Sequence, residues 1–208
     1  MSNRIGRALL VCLAVLACIG EAEGAQESEF ERDAARLASA LDLRAGQAVA
    51  DISAGGGELA LELAKAVGPS GIVYATEIGE ERLQTLREAV AKSGRSNITV
   101  LEAHPTRTNL PSECCRAVIM RLVYHHFQDP AAMNRSLLAS LEPGGLVAVL
   151  DFPTDDGQTA APAERAKDGN HGVDAATVVD EMTAAGFERV LVDTDSKPRY
   201  LVVVRRPM

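Results

Sequence analysis

The segment Asp51-Ile52-Ser53-Ala54-Gly55-Gly56-Gly57-Glu58-Leu59-Ala60 leads an apolar run into a glycine turn and then into a helix start. Gly55 and Gly57 let the backbone approach a ligand closely, and a helix start offers free N–H groups. Glu77 stands 20 residues beyond Gly57, at the end of the next apolar run. A carboxylate at such a place accepts hydrogen bonds from both hydroxyls of a ribose. Together these residues point to a nucleoside-containing ligand lying across two strand ends. Gly55, Gly57 and Ala60 also satisfy the dinucleotide fingerprint, so NAD binding is carried as a rival, whereas no Gly-Lys-Ser/Thr follows to make a P-loop. Further on, Tyr124, His125 and His126 follow another apolar run. A neutral imidazole there is suited to take a proton from an acceptor hydroxyl or amine. Asp151 and His171 are placed to close over the same site, but the set His125, His126, Asp151 and His171 lacks metal-ligand spacing, and no metal is expected.

The elements that must position these groups alternate strand and helix. Phe30, Ala34, Leu37 and Leu41 form the stripe of an amphipathic helix within residues 26–43. Strands are expected over 48–52, 71–76, 98–101, 117–123 and 146–152, with helices over 58–67, 80–92 and 131–141 between them. Asp129 and Pro130 supply a cap and first position for the last of these helices. Such alternation implies a parallel sheet covered on both faces. Residues 174–185 read as a helix stopped by Gly186, and 189–192 and 200–204 as two strands joined by a short polar loop, so the last strand should run antiparallel. Residues 153–172 are polar, rich in Pro, Gly and Asp, and read as a mobile loop of the kind that covers sites.

Composition narrows the classes of function. The chain has 208 residues, 47% hydrophobic and 24% charged, with 21 Lys and Arg against 29 Asp and Glu for a net charge of −8. That is ordinary globular usage for one domain. An acidic chain with 3% aromatics offers neither the cationic surface nor the stacking platforms for nucleic acid, which is not expected as a partner. Arg4 and Arg7, the apolar run from Ala8 to Ile19 and the small residues around Ala22 and Gly24 read as a signal peptide over 1–24, leaving one domain over 25–208. Export to the periplasm is the expectation, with no membrane span after cleavage. A lipid anchor at Cys18 is a secondary reading, since Val15-Leu16-Ala17-Cys18 is similar to a lipobox. The mature chain keeps Cys114 and Cys115. Adjacent cysteines staple no distant segments; they read as small residues entering a strand, with a vicinal disulfide or a metal-binding pair as minor alternatives.

The whole pattern resembles the class I S-adenosylmethionine-dependent methyltransferases, and most closely their small exported members. The matching segments are Val49 to Gly57, Tyr74-Ala75-Thr76-Glu77, Tyr124 to Pro130, Leu141-Glu142-Pro143-Gly144-Gly145 and Ala184-Ala185-Gly186-Phe187, in that order. The resemblance implies a Rossmann-like, doubly wound α/β fold with a seven-stranded mixed sheet and an antiparallel C-terminal hairpin. It also implies S-adenosylmethionine as cofactor, a small-molecule or protein acceptor, and a methyl-transfer reaction. Asp51 would hold the cofactor's amino-acid end and Glu77 its ribose, with Ser53, Gly55 and Gly57 forming the turn and Thr106 lying toward the adenine. Tyr124, His125 and His126 would stand where the donated methyl points. The sulfonium donor carries no phosphate, so carboxylates and backbone groups suffice. Three positions depart from the family pattern: Ser53 replaces the usual first glycine, no acid stands around Pro105-Thr106-Arg107-Thr108 to meet adenine, and Arg116 replaces a common Asp. The absent acid keeps open a non-catalytic nucleoside-cofactor binder on the same fold, beside the NAD-dependent oxidoreductase.

Overall fold

The computed structural model describes residues 27–155, 159–165 and 171–208. The signal segment 1–24 with Cys18, and two stretches of the 153–172 loop, lie outside the described residues. In chain order the elements are α1 (Glu29–Ala40), β1 (Ala48–Ile52), α2 (Glu58–Ala66), β2 (Ile72–Glu77), α3 (Glu80–Ser93), β3 (Ile98–Glu102) and β4 (Cys115–Arg121). Then follow a 3-10 turn (Tyr124–His126), α4 (Pro130–Ser140), β5 (Leu141–Asp151), α5 (Pro162–Arg165), α6 (Ala175–Ala184), β6 (Glu188–Asp193) and β7 (Tyr200–Arg205).

The strands form one seven-stranded sheet in the order β3-β2-β1-β4-β5-β7-β6. Strands β1 to β5 run parallel, and β7 enters antiparallel between β5 and β6. This is the mixed sheet with a C-terminal hairpin that the sequence implies. Its two faces separate by the two-residue period of a strand. Val118, Met120, Val147 and Val149 point to a core with Met133 and Leu137 of α4 and Val178 and Met182 of α6. Ala117, Ile119, Ala148 and Leu150 point to the other core, with Leu37 of α1, Leu59 and Leu63 of α2 and Leu86 of α3. Among the described residues, no helix is long and apolar enough to cross a membrane.

Several boundaries differ from the sequence expectation for local reasons. The apolar run of β4 continues to Val123, but Leu122 adopts a left-handed φ of 55° and the chain leaves the sheet after Arg121. Residues 124–126 therefore form a 3-10 turn rather than a strand extension. At the other end of β4, Cys114 and Cys115 are joined by a disulfide, and the pairing with β5 slips between Cys115 and Ala117. Strand β5 consequently begins at Leu141, and Arg116 donates from Nη1 to the Gly144 carbonyl at 2.8 Å. The unusual Arg116 thus supports the irregular first part of β5. The described ends of the 153–172 loop are tied down. Asp174 accepts from the hydroxyls of Thr154 and Thr159, and Val173 donates to the Phe152 carbonyl. Gly172 lies so close to that strand end that a Cβ there would run into the Pro153 carbonyl oxygen.

Candidate active site

The turn after β1 is built from left-handed backbone at Ser53 (φ 55°), Gly55 (φ 57°) and Gly57 (φ 89°). A side chain is disfavoured in that region by about 1–2 kcal/mol, which Ser53 bears without glycine's freedom. The turn is held from β2: Ala54 donates to the Thr76 carbonyl at 2.8 Å and Ser53 N–H to the Thr76 hydroxyl at 3.3 Å. Glu77, the last residue of β2, is 2% exposed. Its Oε2 accepts the Gly55 N–H and its Oε1 the Ile78 N–H, each at 2.8 Å. Each carboxylate oxygen has a second lone pair left for a ligand hydroxyl.

Asp51 lies on the neighbouring strand β1, 2% exposed, and its Oδ2 has no hydrogen-bond partner. Burial pushes this carboxyl up to about 8; Arg121 opposes the rise and the nearby Glu77 carboxylate adds to it. A buried acid left in this state is a group built to meet something. A cavity of about 180 Å³ opens on it, lined by Phe30, Ser53 to Gly56, Leu59 and the charged groups Asp51, Glu58 and Arg121. A second cavity of about 200 Å³ lies on the other side of Ser53, walled by Ile52, Ile78, Ala103, Pro105, Val123 and Met133, with His126 at its rim. Ser53 lines both, so the two volumes share one wall. Jointly they reach the lower end of small-molecule sites, about 300–1,000 Å³. The second has mostly apolar walls, Phe127 among them, and no carboxylate among its lining residues, which suits a flat heteroaromatic base held by contact rather than by an acid.

The three residues of the 3-10 turn go to different places. Tyr124, expected at the reacting end, is fully buried in the core, where its hydroxyl accepts from Asn134 Nδ2 at 2.8 Å. A hydroxyl in that position shapes the turn and does not line either cavity. His125 is also buried, and its Nδ1 lies 2.8 Å from Asp151 Oδ1, whose other oxygen receives the His125 N–H at 3.3 Å. A carboxylate can only accept, so Nδ1 carries a proton toward Asp151. His126 is exposed, lines the second cavity and lies ring to ring with His125 at 4.0 Å. Desolvation against the cavity wall and the neighbouring His125 lower its pKa from 6.5. Thr106, expected near the base, instead contacts His104 Nδ1 at 3.3 Å and lines neither cavity; Ala103 and Pro105 stand there. His171 lies exposed in the loop before α6. Among the described residues no group of three or more metal-ligating side chains converges.

Sequence reasoning missed Arg121, Asp33 and the role of Phe30 beyond helix packing. Their signals were an arginine ending an otherwise apolar strand and an acid on the first helix, close to its apolar stripe.

Sheet order, glycine turn and paired carboxylates on β1 and β2 are those of the class I methyltransferase fold, and that is the fold of this chain. The methyltransferase-domain family matches residues 49–145, which span β1 through the turn inside β5. The ubiquinone/menaquinone biosynthesis C-methyltransferase UbiE of Pseudomonas putida is 32% identical over 111 residues, 53% of this chain and 43% of that protein. The match thus spans less than half the length of that relative. A SAM-dependent methyltransferase from Aquifex aeolicus superimposes with a TM-score of 0.72 at 24% identity, over 84% of this chain and 89% of that one. Phosphoethanolamine N-methyltransferase 2 of Haemonchus contortus, solved with S-adenosyl-L-methionine, gives 0.69 at 13% identity over 85% of this chain and 53% of that one.

Proposed function

We propose that this protein binds S-adenosylmethionine across the carboxyl ends of β1, β2 and β4 and transfers its methyl group to a small-molecule acceptor. The observation that carries the reading is the buried Asp51 carboxyl with an unpartnered oxygen, set beside the glycine turn that Glu77 holds. The cofactor would supply a methyl group on a sulfonium, open to in-line displacement. Asp51 faces the amino-acid end, Glu77 accepts from the ribose hydroxyls, and the mostly apolar cavity beside Pro105 takes the adenine. The fit extends to charge, because Asp51, Glu58 and Glu77 put three carboxylates around the glycine turn, a setting that favours a sulfonium cation over a pyrophosphate. Export through residues 1–24 belongs to the same proposal and rests on their basic start and apolar run.

His126 accepts the acceptor's proton. Its lowered pKa keeps the ring neutral at neutral pH, the form able to act as base. His125, fixed by Asp151, supports that ring from inside as a positioning residue.

The test is thermal unfolding of the full chain with S-adenosylmethionine, S-adenosylhomocysteine or NAD. Ligand at 100 times its dissociation constant adds about 2.7 kcal/mol, a rise of roughly 5–10 °C for a chain of this size. A rise with the sulfur ligands and not with NAD is expected; the reverse, or none, overturns the reading. His126→Gln is expected to lower kcat by about 10²–10⁴ on an acceptor with a dissociable proton. In the parent the rate falls as pH drops through the lowered His126 pKa, below 6.5, and that acid limb should vanish in the variant. An unchanged pH profile would remove His126 from proton transfer.

A further inference from the structure

Arg121 ends β4 and its side chain is 12% exposed, yet the family-like segments of the sequence give it no task. It lines the smaller cavity together with Asp51 and Glu58. Helix α1 holds it from behind: Nε meets Asp33 Oδ2 at 2.6 Å, Nη2 lies 3.1 Å from Glu29 Oε1, and the guanidinium carbon stands 4.3 Å above the Phe30 ring. The two carboxylates of α1 are not neutralised by Arg121 alone. Arg199, from the start of the last hairpin strand, reaches the same pair, 2.7 Å from Asp33 and 2.6 Å from Glu29. Two acids and two arginines therefore balance, and Arg121 is oriented rather than consumed. Its Nη1 takes part in none of these contacts.

The cavity thus presents a buried acid with an unpartnered oxygen and a pre-oriented guanidinium on one wall. That pair is complementary to an amino-acid zwitterion, whose ammonium and α-carboxylate leave one carbon. We propose that Arg121, positioned by Asp33 and Glu29 of α1, reads the α-carboxylate of the ligand's amino-acid end while Asp51 faces its ammonium. The inference rests on the cofactor reading above and adds to it a specificity: the site distinguishes S-adenosylmethionine from analogues that lack the carboxylate. It also makes α1, which precedes the matched methyltransferase segment, part of the binding site.

The experiment measures dissociation constants of the full chain for S-adenosylmethionine, decarboxylated S-adenosylmethionine and methylthioadenosine, which lacks the whole amino-acid end. A charge-assisted guanidinium–carboxylate contact predicts about 10- to 100-fold tighter binding of S-adenosylmethionine than of its decarboxylated form. In Arg121→Gln that preference should collapse toward onefold, while the affinity for methylthioadenosine stays within about twofold. Arg121→Lys keeps the charge opposite Asp33 but loses the planar fork, and should retain only part of the preference. Preference undiminished in both variants overturns the proposal. So does an equal loss for all three ligands, the mark of a merely structural arginine. A parent chain that binds methylthioadenosine and S-adenosylmethionine but shows no preference for the carboxylate overturns this inference and leaves the cofactor reading standing. A parent that binds none of the three overturns both.

Discussion

Glu77→Ala is expected to abolish the thermal response to S-adenosylmethionine and S-adenosylhomocysteine. The carboxylate fixes the glycine turn through the Gly55 and Ile78 N–H groups, and in the proposed site its remaining lone pairs would meet a ribose. Hydrogen bonds to a charged group contribute about 1.5–3 kcal/mol each. Losing two ribose bonds lowers affinity by at least about a hundredfold. The cost to the ligand-free protein should be smaller, about 1–2 kcal/mol, because Gly55 and Ile78 are themselves exposed and water can replace the lost acceptor. Titration calorimetry and denaturant unfolding separate the two effects. Affinity within twofold of the parent would show that the ribose lies elsewhere. Glu77→Gln sharpens the comparison, since it removes the negative charge that helps keep Asp51 protonated.

The second large effect concerns Asp51 itself. In the unfolded chain this carboxyl ionises near 3.8, whereas burial raises it to about 8 in the fold. Between those values the unfolded chain has released a proton that the folded one retains. Stability of the ligand-free protein therefore falls as pH rises from about 4 to about 8, with a slope of up to about 1.4 kcal/mol per pH unit from this one group. Asp51→Asn removes the ionisation while keeping the shape. Its denaturation midpoint should match the parent near pH 4 and exceed it increasingly toward pH 8, a gap on the order of a few kcal/mol. The same variant should lose affinity for S-adenosylmethionine, whose ammonium would have met the ionised carboxylate. Curves for parent and variant that stay parallel across that pH range would show that Asp51 titrates normally. A group that weakens the empty protein and strengthens the loaded one is the trade expected of a binding residue.

Much of this was legible in the chain. The segments 48–52, 58–66 and 72–77 carry their own periodicities and a glycine turn, and the structure forms them within a residue of the expected ends. Gly55, Gly57, Asp51 and Glu77 are close in sequence and sit on adjacent parallel strands, so their convergence follows from local pattern and sheet order. The histidine pair was legible as a pair only. Adjacent residues on a 3-10 turn face different ways, and which of them turns inward depends on Asp151, 26 positions away from His125. Tyr124 shared the same apolar and polar signals and was taken up by the core through Asn134 of α4. Thr106 fell to its neighbour His104, because the chain there closes into a tight bridge between His104 and Arg107.

Local pattern is enough for the fold: a strand–turn–helix with Asp51 and Glu77, an alternation that makes a parallel sheet, and a hairpin that closes it. These are set by side-chain period and backbone preference, which act over a few residues. Only the tertiary structure decided that Arg121 faces the Asp51 cavity and that Asp33 and Glu29 of α1 hold it there. Arg121 and Asp33 lie 88 positions apart, and Arg199 and Asp33 lie 166 apart. Pairing over such distances depends on which helix packs on which sheet face, and that is fixed by burial of the two cores rather than by any local signal.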